Sequence, residues 1–154
     1  MLFADKFWST YCGNQPNELL KLAQNAPPAF PYLTEVLIKA HLKRFPYPEN
    51  GLNEIENTML RLIMEGQHNR KSLMGTMLQW QHLYGFGDWQ YEMYLNHLSP
   101  LLRESPDLQL NELGMSIYRK TANFLQHSNH NYQWGGCQHR DFFYDENAGR
   151  LNKK

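Results

Sequence analysis

The sequence is poor in cysteine and in charged residues, and it has no long hydrophobic run. Its two cysteines, Cys12 and Cys137, lie far apart and form no disulfide framework, so we expect a reduced, cytoplasmic compartment. No apolar run approaches the roughly 18 residues of a membrane span. The first residues, MLFADKFWSTYCG, contain Asp5 and no apolar stretch long enough for a secretory signal. The sequence therefore predicts no membrane partner.

Charged residues make up only 19% of the chain, whereas hydrophobic residues make up 42% and aromatic residues 14%. This composition is typical of a globular protein and excludes a disordered one. The 154 residues suffice for one ordinary domain with a single core. Walker loops, G-x-S-x-G elbows and dinucleotide fingerprints are all missing, so we expect no cofactor and a non-catalytic protein.

The net charge is zero, but negative charge is concentrated in the middle of the chain. Residues 51–118 carry four basic and eight acidic side chains, which gives this segment a net charge of −4. A protein that binds DNA needs cations to displace the counterions of the phosphate backbone. The charge distribution therefore disfavours nucleic acid as a partner.

Apolar residues at helical spacing, bounded by proline, glycine and capping residues, predict six helices. Asn53 followed by Glu56 resembles a capping box, Asp88 can cap the fifth helix, and Asn111 can cap the sixth. The short run LQL at 108–110 suggests a strand, and CQHRDFFYD and RLNKK flank the turn residues ENAG as in a β-hairpin. The predicted helices cover residues 15–28, 31–45, 53–66, 70–84, 89–98 and 112–126.

This order of elements predicts a mainly α, winged-helix-like fold with an amino-terminal helical extension and a carboxyl-terminal β-hairpin. We assign residues 1–50 to the extension and residues 51–154 to the winged-helix-like module, together forming one compact domain. An irregular helical domain with a terminal hairpin is the alternative.

Four short motifs are the most distinctive parts of the chain. They are FPYPENGLNEIE at 45–56, the dipeptide Gly87-Asp88, LQLNELG at 108–114, which ends on Gly114, and Trp134-Gly135-Gly136. In this order they resemble the carboxyl-terminal region of a bacterial group of two-domain proteins, in which both domains are of unknown function. The resemblance runs from about Phe7 to Leu151. Asn111 departs from the group, in which threonine is commoner, although either residue caps a helix.

The resemblance implies structural roles for Asp88, Gly114, Trp134, Gly135 and Gly136, and it implies no activity. It also implies that this chain is either a naturally short relative or the carboxyl-terminal piece of a longer protein. In the latter case the preceding domain is the obvious partner. Trp134 is interpreted as an apolar anchor, and the two glycines after it as a tight turn before the hairpin.

Three histidines and a cysteine in the stretch HSNHNYQWGGCQHRD are residue types that zinc prefers. Their pattern, H-x2-H-x6-C-x-H, matches no known zinc finger, and no CxxC or HExxH motif accompanies it. A polar turn leading into a strand is the favoured interpretation, so we expect no metal. The four residues that could bind a metal ion are His127, His130, Cys137 and His139.

Aromatic residues are concentrated around the Gly-Phe-Gly-Asp break at 85–88. Most of them should lie in the core at this spacing, but tyrosine and tryptophan are also enriched at interfaces. We therefore expect a non-catalytic module that mediates protein–protein or interdomain contacts. The alternative is a DNA-associated transcriptional regulatory domain, although the helix at 88–98 contains Asp88 and Glu92 and no lysine or arginine. The candidate binding patch consists of Trp80, Tyr84, Trp89 and Tyr91.

Overall fold

The computed structural model describes residues 2–80 and 82–154, in which seven α-helices precede a carboxyl-terminal antiparallel hairpin. The predicted mainly helical fold with a terminal hairpin is confirmed. The helices are α1 (Phe3–Tyr11), α2 (Pro16–Gln24), α3 (Leu33–Val36), α4 (Glu54–Met64), α5 (Arg70–Trp80), α6 (Asp88–His97) and α7 (Glu112–Tyr118). The strands are β1 (Gln133–Trp134), β2 (Cys137–Gln138), β3 (Phe142–Asp145) and β4 (Arg150–Lys153). None of the helices in the described residues is long and apolar enough to cross a bilayer.

The chain divides into two compact units. The terminal unit combines Met1–Pro48 with Asn131–Lys154, and the central unit is the uninterrupted stretch Glu49–His130. This grouping differs from the expected 1–50 and 51–154, because the hairpin belongs with the amino-terminal helices. The winged-helix arrangement itself stays a prediction.

The terminal unit is built around the contact between the hairpin and the amino-terminal helices. Leu151 of β4 is 1% exposed and packs in one cluster with Leu20 of α2 and with Leu42 and Phe45. The ring of Phe45 meets that of Phe142 edge-on, with centroids 6.0 Å apart. Burial of these apolar side chains is what ties the two ends of the chain into one unit.

The hairpin pairs Phe142 with Lys153 and Asp145 with Arg150, in antiparallel register. Its turn is closed by Asp145, whose Oδ1 accepts the backbone N–H of Ala148 at 3.0 Å. Gly149 has a φ of +60°, which favours glycine at the residue before β4. The predicted turn at ENAG thus lies at residues 146–149.

The segment predicted as one helix over 31–45 changes its winding twice. The α-helical turn α3 continues as a π-helical turn over Leu37–His41 and as a 3-10 turn over Leu42–Arg44. A π turn rotates the following side chains relative to an α-helix. His41, Leu42 and Phe45 are consequently all buried at the end of the segment.

The central unit begins with α4, whose start matches the predicted capping box. Asn53 Oδ1 accepts the Glu56 backbone N–H at 3.0 Å, and Glu56 Oε2 accepts the Asn53 N–H at 2.9 Å. The start of α7 at residue 111 and the end of α4 before residue 66 are also as predicted. Asn111 Oδ1 accepts the Gly114 N–H at 2.9 Å, and Gly66 follows α4 with a φ of +105°.

The core of the central unit lies among α4, α5, α6 and α7. The run LQL at 108–110 contributes Leu110, which makes an isolated bridge with Leu102 rather than the predicted strand. The predicted helix over 70–84 is described up to Trp80, and a 3-10 turn follows at His82–Tyr84; residue 81 of that prediction lies outside the described residues. The largest fully buried side chains of this unit include Tyr91, Phe124, Leu52, Ile55, Met59, Leu60, Ile63, Leu73 and Met77.

Candidate functional site

α6 carries the aromatic residues that the sequence singled out. The helix begins at Asp88, and Gly87 precedes it in extended conformation with its N–H donating to Gln90 Oε1 at 3.0 Å. Asp88 is therefore the first helical residue rather than the cap that the sequence predicted. Its Oδ1 accepts the Trp89 N–H at 2.8 Å, and its carboxylate is favourable beside the positive end of the helix dipole.

The four residues of the candidate binding patch do not share one exposed surface. Tyr84 and Tyr91 are 4% and 1% exposed and belong to the core. Tyr84 donates its hydroxyl to Glu54 Oε2 at 2.6 Å, and Trp80 stacks on the Tyr84 ring with centroids 5.9 Å apart. Helical spacing turns these side chains inward, which corrects the expectation of a single patch. Trp89 points the other way and is 71% exposed.

Trp89 has an exposed apolar neighbour one turn along α6. Met93 is 48% exposed, and residues four apart lie next to each other on a helix. Asp88, Gln90 and Asn96, all exposed, supply polar groups on the same helix. We call Trp89 and Met93 the α6 apolar face. An apolar centre with polar residues around it is the composition of a protein-binding surface.

A second arrangement, which the sequence did not indicate, joins α4 and α6. Glu56 is 3% exposed, and its Oε1 lies 2.9 Å from Nδ1 of His97, the last residue of α6. The other ring nitrogen of His97, Nε2, lies 3.0 Å from Ser128 Oγ. Three residues that are 41 and 31 positions apart in sequence thus form one hydrogen-bonded row.

The protons on the His97 ring set the direction of these hydrogen bonds. A carboxylate oxygen accepts hydrogen bonds, so Nδ1 of His97 carries a proton and donates a hydrogen bond to Glu56 Oε1. When Nδ1 carries the only ring proton, Nε2 is an acceptor and Ser128 donates a hydrogen bond to it; when both nitrogens carry protons, Nε2 donates to Ser128 Oγ. Ser128 Oγ in turn accepts the backbone N–H of His130 at 3.1 Å.

Two aromatic rings hold His97 in place. The Phe124 ring centroid lies 5.1 Å from that of His97, and the His130 centroid lies 4.3 Å from it. Burial lowers the pKa of His130, and the neighbouring His97 lowers it further, against an opposing effect of Glu56. His97 therefore contacts Ser128, the Glu56 carboxylate and the His130 ring in one cluster of the central unit.

The four candidate metal ligands have other roles in the structure. His127 is exposed, and His130 packs against His97. Cys137 is buried with Sγ 3.5 Å from the Gly13 carbonyl, and burial followed by the Asp141 charge raises its pKa, which disfavours the thiolate that zinc needs. His139 Nδ1 faces the Tyr132 backbone N–H at 2.8 Å. Within residues 2–80 and 82–154, no three His, Cys, Asp or Glu side chains are placed to hold a metal ion.

The tripeptide Trp134-Gly135-Gly136 forms the turn between β1 and β2, inside the terminal unit. Gly136 donates its N–H to the Tyr11 carbonyl at 3.0 Å. A Cβ on Gly135, whose φ is +62°, would lie 2.1 Å from the Tyr11 oxygen, and one on Gly136 would lie 2.1 Å from the Cys12 oxygen. Trp134 is half-buried, with the Arg44 guanidinium carbon 5.3 Å from its ring centroid. Close approach to the end of α1 therefore requires both glycines.

The sequence pointed to Glu56 only as a helix cap and did not single out His97 or Ser128. The one local signal was the capping box, which explains why a carboxylate lies at this helix start but not what it faces. Hydrogen bonds between residues 41 and 31 positions apart leave no periodic pattern that a single sequence reveals. No protein-family model, curated protein or solved structure matches the chain.

Proposed function

We propose that the chain is an interaction module that contacts a partner protein or domain through the α6 apolar face. The observation that carries this proposal is the exposure of Trp89, 71%, on a helix whose other aromatic residues are buried. A partner that covers an exposed indole gains its apolar area, and tryptophan is enriched among residues that dominate binding energy.

The charge around the α6 apolar face indicates the chemistry of the partner. Asp88 precedes Trp89 on α6, whereas the other carboxylate of this helix, Glu92, is paired with Arg70 of α5. Along the sequence, residues 51–118 carry a net charge of −4. A partner with an apolar cleft and basic residues at its rim complements this surface. The resemblance to two-domain proteins supports a neighbouring domain as that partner.

The alternative, a DNA-associated regulatory domain, has less support. α6 would have to enter the major groove, yet its sequence contains no lysine or arginine to contact phosphates or guanines. Met93 offers apolar contacts only, and Trp89 adds a single indole N–H donor. A DNA-binding function would therefore depend on residues outside this helix.

We also propose that the module resides in the cytoplasm. Both cysteines are free in the structure, and Cys12 is exposed. Free exposed thiols persist in reducing compartments and become oxidised elsewhere. Alkylation of Cys12 in intact cells, followed by mass spectrometry, tests this point, since a mixed disulfide at Cys12 would contradict it.

Site-specific photo-crosslinking tests the interaction. A benzophenone amino acid replaces Met93 in cells of the source organism, and a control variant carries it at Leu78, which is also exposed, on α5. We expect one protein adduct at position 93 that is missing at position 78. The partner is then purified, and Trp89→Ala should weaken its binding at least about tenfold, whereas Leu78→Ala should change the Kd less than about twofold.

Two results would overturn the proposal. One is equal crosslinking at positions 93 and 78, which would mean that contact is non-specific. The other is unchanged affinity of Trp89→Ala for the purified partner. Binding to random duplex DNA with a steep salt dependence would instead favour the DNA-associated alternative.

A further inference from the structure

We propose that Ser128, His97 and Glu56 form a nucleophilic centre that hydrolyses small carboxylic esters. This centre is separate from the proposed interaction surface, since it contains none of the residues of the α6 apolar face. It also revises the expectation, drawn from the sequence alone, that the protein is non-catalytic.

The geometry is that of an activated serine. The Oγ–Nε2 distance is 3.0 Å and the Nδ1–Oε1 distance is 2.9 Å, both within hydrogen-bond reach of a nucleophile, its base and the group that orients the base. In the tautomer that carries the proton on Nδ1, the hydrogen bonds run from Ser128 to His97 and from His97 to Glu56, which is the direction that removes the serine proton.

The surroundings of the three side chains differ as their roles require. Glu56 is buried, and its second oxygen is occupied by the Asn53 N–H, so the carboxylate is fixed and orients His97. The His97 side chain is only 11% exposed. Ser128, by contrast, is partly exposed and lies between His127 and Asn129, which are both exposed. The nucleophile is therefore the member of the row that a substrate can reach.

One backbone N–H donates to the nucleophile, and another follows the nucleophile in sequence. The His130 N–H is 3.1 Å from Ser128 Oγ. Within the described part of the chain, the N–H of Asn129 donates to no other group. The residue after the nucleophile supplies an oxyanion donor in serine hydrolases of the nucleophile-elbow type. Asn129 occupies that position here, and it can stabilise charge on the carbonyl oxygen of an ester.

The reaction begins when Ser128 Oγ bonds to the ester carbonyl carbon and its proton passes to His97 Nε2. The carbonyl electron pair moves to the oxygen. When the tetrahedral species collapses, the carbon–alkoxide bond breaks and the alcohol leaves with the proton from His97. Water then attacks the acyl group, His97 takes the proton of the water, and the acid departs as Ser128 regains its hydrogen. Glu56 accepts the hydrogen bond from His97 Nδ1 throughout and orients the ring.

The residues beside Ser128 indicate the substrate class. His127, Asn129 and His130 are polar and exposed, so this loop offers no apolar wall for a long acyl chain. We therefore assign short-chain, uncharged esters.

An active-site-directed fluorophosphonate tests the proposal, because its phosphorus bonds to a serine Oγ as fluoride leaves. The full chain is incubated with the probe and analysed by intact mass and peptide mapping. We expect one adduct, at Ser128, which is lost in Ser128→Ala and in urea-unfolded protein. The control Ser99→Ala, at an exposed serine of the same unit, should be labelled at the wild-type rate.

His97→Gln distinguishes a nucleophilic centre from a structural bridge. Glutamine keeps a polar side chain but cannot accept the proton as imidazole does, so the labelling rate should fall by about a hundredfold. The rate of p-nitrophenyl acetate hydrolysis should fall in both Ser128→Ala and His97→Gln. Circular dichroism confirms that each of these variants is folded. An unlabelled Ser128 in folded wild-type protein would overturn the proposal, and so would equal labelling of wild type and a folded His97→Gln.

If His97→Gln does not fold, the labelling of two serines in the wild-type chain is compared instead. Ser99 and Ser128 then serve as paired sites in one folded molecule. Labelling confined to Ser128 supports the nucleophilic centre, whereas equal labelling of the two serines overturns it.

Discussion

Gly114 shows how one missing side chain allows two segments of the central unit to meet. It is buried near the start of α7, and a Cβ at this position would lie 2.3 Å from the backbone carbonyl oxygen of Leu101. Such an approach is far inside van der Waals contact, and the obstacle is backbone, which cannot rotate away. The motif LQLNELG therefore ends on glycine for a steric reason.

We expect Gly114→Ala to destabilise the protein by about 1–3 kcal/mol, the usual cost of forcing an extra carbon into a packed site. Chemical denaturation measures the change. The matched control is Gly75→Ala in the interior of α5, where a Cβ would meet nothing within 4 Å. Alanine is the better helix former there, so the control should gain about 0.5–1 kcal/mol. Equal effects at the two positions would contradict the steric explanation.

His41 gives the terminal unit a pH dependence. Burial, followed by the nearby Arg44 charge, lowers its pKa from 6.5 to about 4. The ring is neutral in the folded chain and packs between Tyr11 and Phe45, with centroids 5.5 and 6.1 Å away. Between pH 6.5 and about 4 the unfolded chain binds a proton that the folded chain does not, so stability falls as the pH is lowered through this window.

The expected loss attributable to His41 is about 3 kcal/mol across that window, from its pKa difference between the two states. Denaturation curves at several pH values measure it. His41→Leu removes the titrating group and should flatten the dependence relative to wild type. His127→Gln, at an exposed histidine, should keep the wild-type slope. Parallel loss of stability in wild type and His41→Leu would show that other groups cause it.

At the scale of elements, one asparagine joins the hairpin to α2. Asn17 Nδ2 donates to the Leu151 carbonyl at 2.7 Å, and its Oδ1 accepts the Leu151 N–H at 3.0 Å. The side chain thus pairs with β4 as a neighbouring strand would, on the edge that β3 does not occupy. Because Leu151 is also buried, its backbone groups have little access to water.

Asn17→Ala removes both bonds at once, and we expect a loss of about 1–3 kcal/mol, since buried backbone groups are left without partners. The Leu151 amide should exchange its hydrogen faster in the variant, as followed by NMR. Asn14→Ala, at an exposed position two residues before α2, should leave both stability and exchange unchanged. Protection of the Leu151 amide that survives in Asn17→Ala would mean that the two bonds are dispensable.

The elements that the sequence predicted are those with local causes. The capping box at residues 53–56 and the turn at 146–149 depend on residues within four positions of each other, and both lie where predicted. The segment 31–45 has the right apolar spacing for one helix, but tertiary burial of His41 and Phe45 accompanies a π turn that spacing does not encode. The helix α1, Phe3–Tyr11, was not predicted, although its aromatic residues recur at helical spacing; none of its side chains is fully buried.

The candidate sites also differ in how much of each could be predicted from the sequence. The sequence identified Trp89 as one of four aromatic residues, but only the fold distinguishes this exposed ring from the buried Tyr91. The row of Glu56, His97 and Ser128 is assembled by three separate segments, so composition and spacing contain no trace of it. Non-local contacts of this kind are set by the packing of α4, α6 and the loop after residue 126.

At the scale of the whole molecule, the order of segments along the chain differs from their grouping in space. The central unit is one continuous stretch, Glu49–His130, whereas the terminal unit needs both ends of the chain. The hydrophobic cluster of the terminal unit combines Leu20, Leu42 and Phe45 from one end with Phe142 and Leu151 from the other. Folding of that unit therefore requires residues more than 80 positions apart to meet, which is entropically costly.

This difference in connectivity predicts how fragments behave. The fragment 49–130 contains every side chain of its own core, including Ile55, Met59 and Ile63, so we expect helical circular dichroism and a cooperative melt. The fragment 1–48 lacks Phe142, Tyr144 and Leu151, and without this apolar burial it should show no cooperative transition.

Joining 1–48 to 131–154 by a flexible glycine–serine linker restores the cluster and should restore the transition. Tyr144→Ala in that linked fragment is the control and should weaken it again, because the buried ring packs against Tyr47. A cooperative melt of 1–48 alone, or an unfolded 49–130, would show that the two units do not fold as their cores suggest.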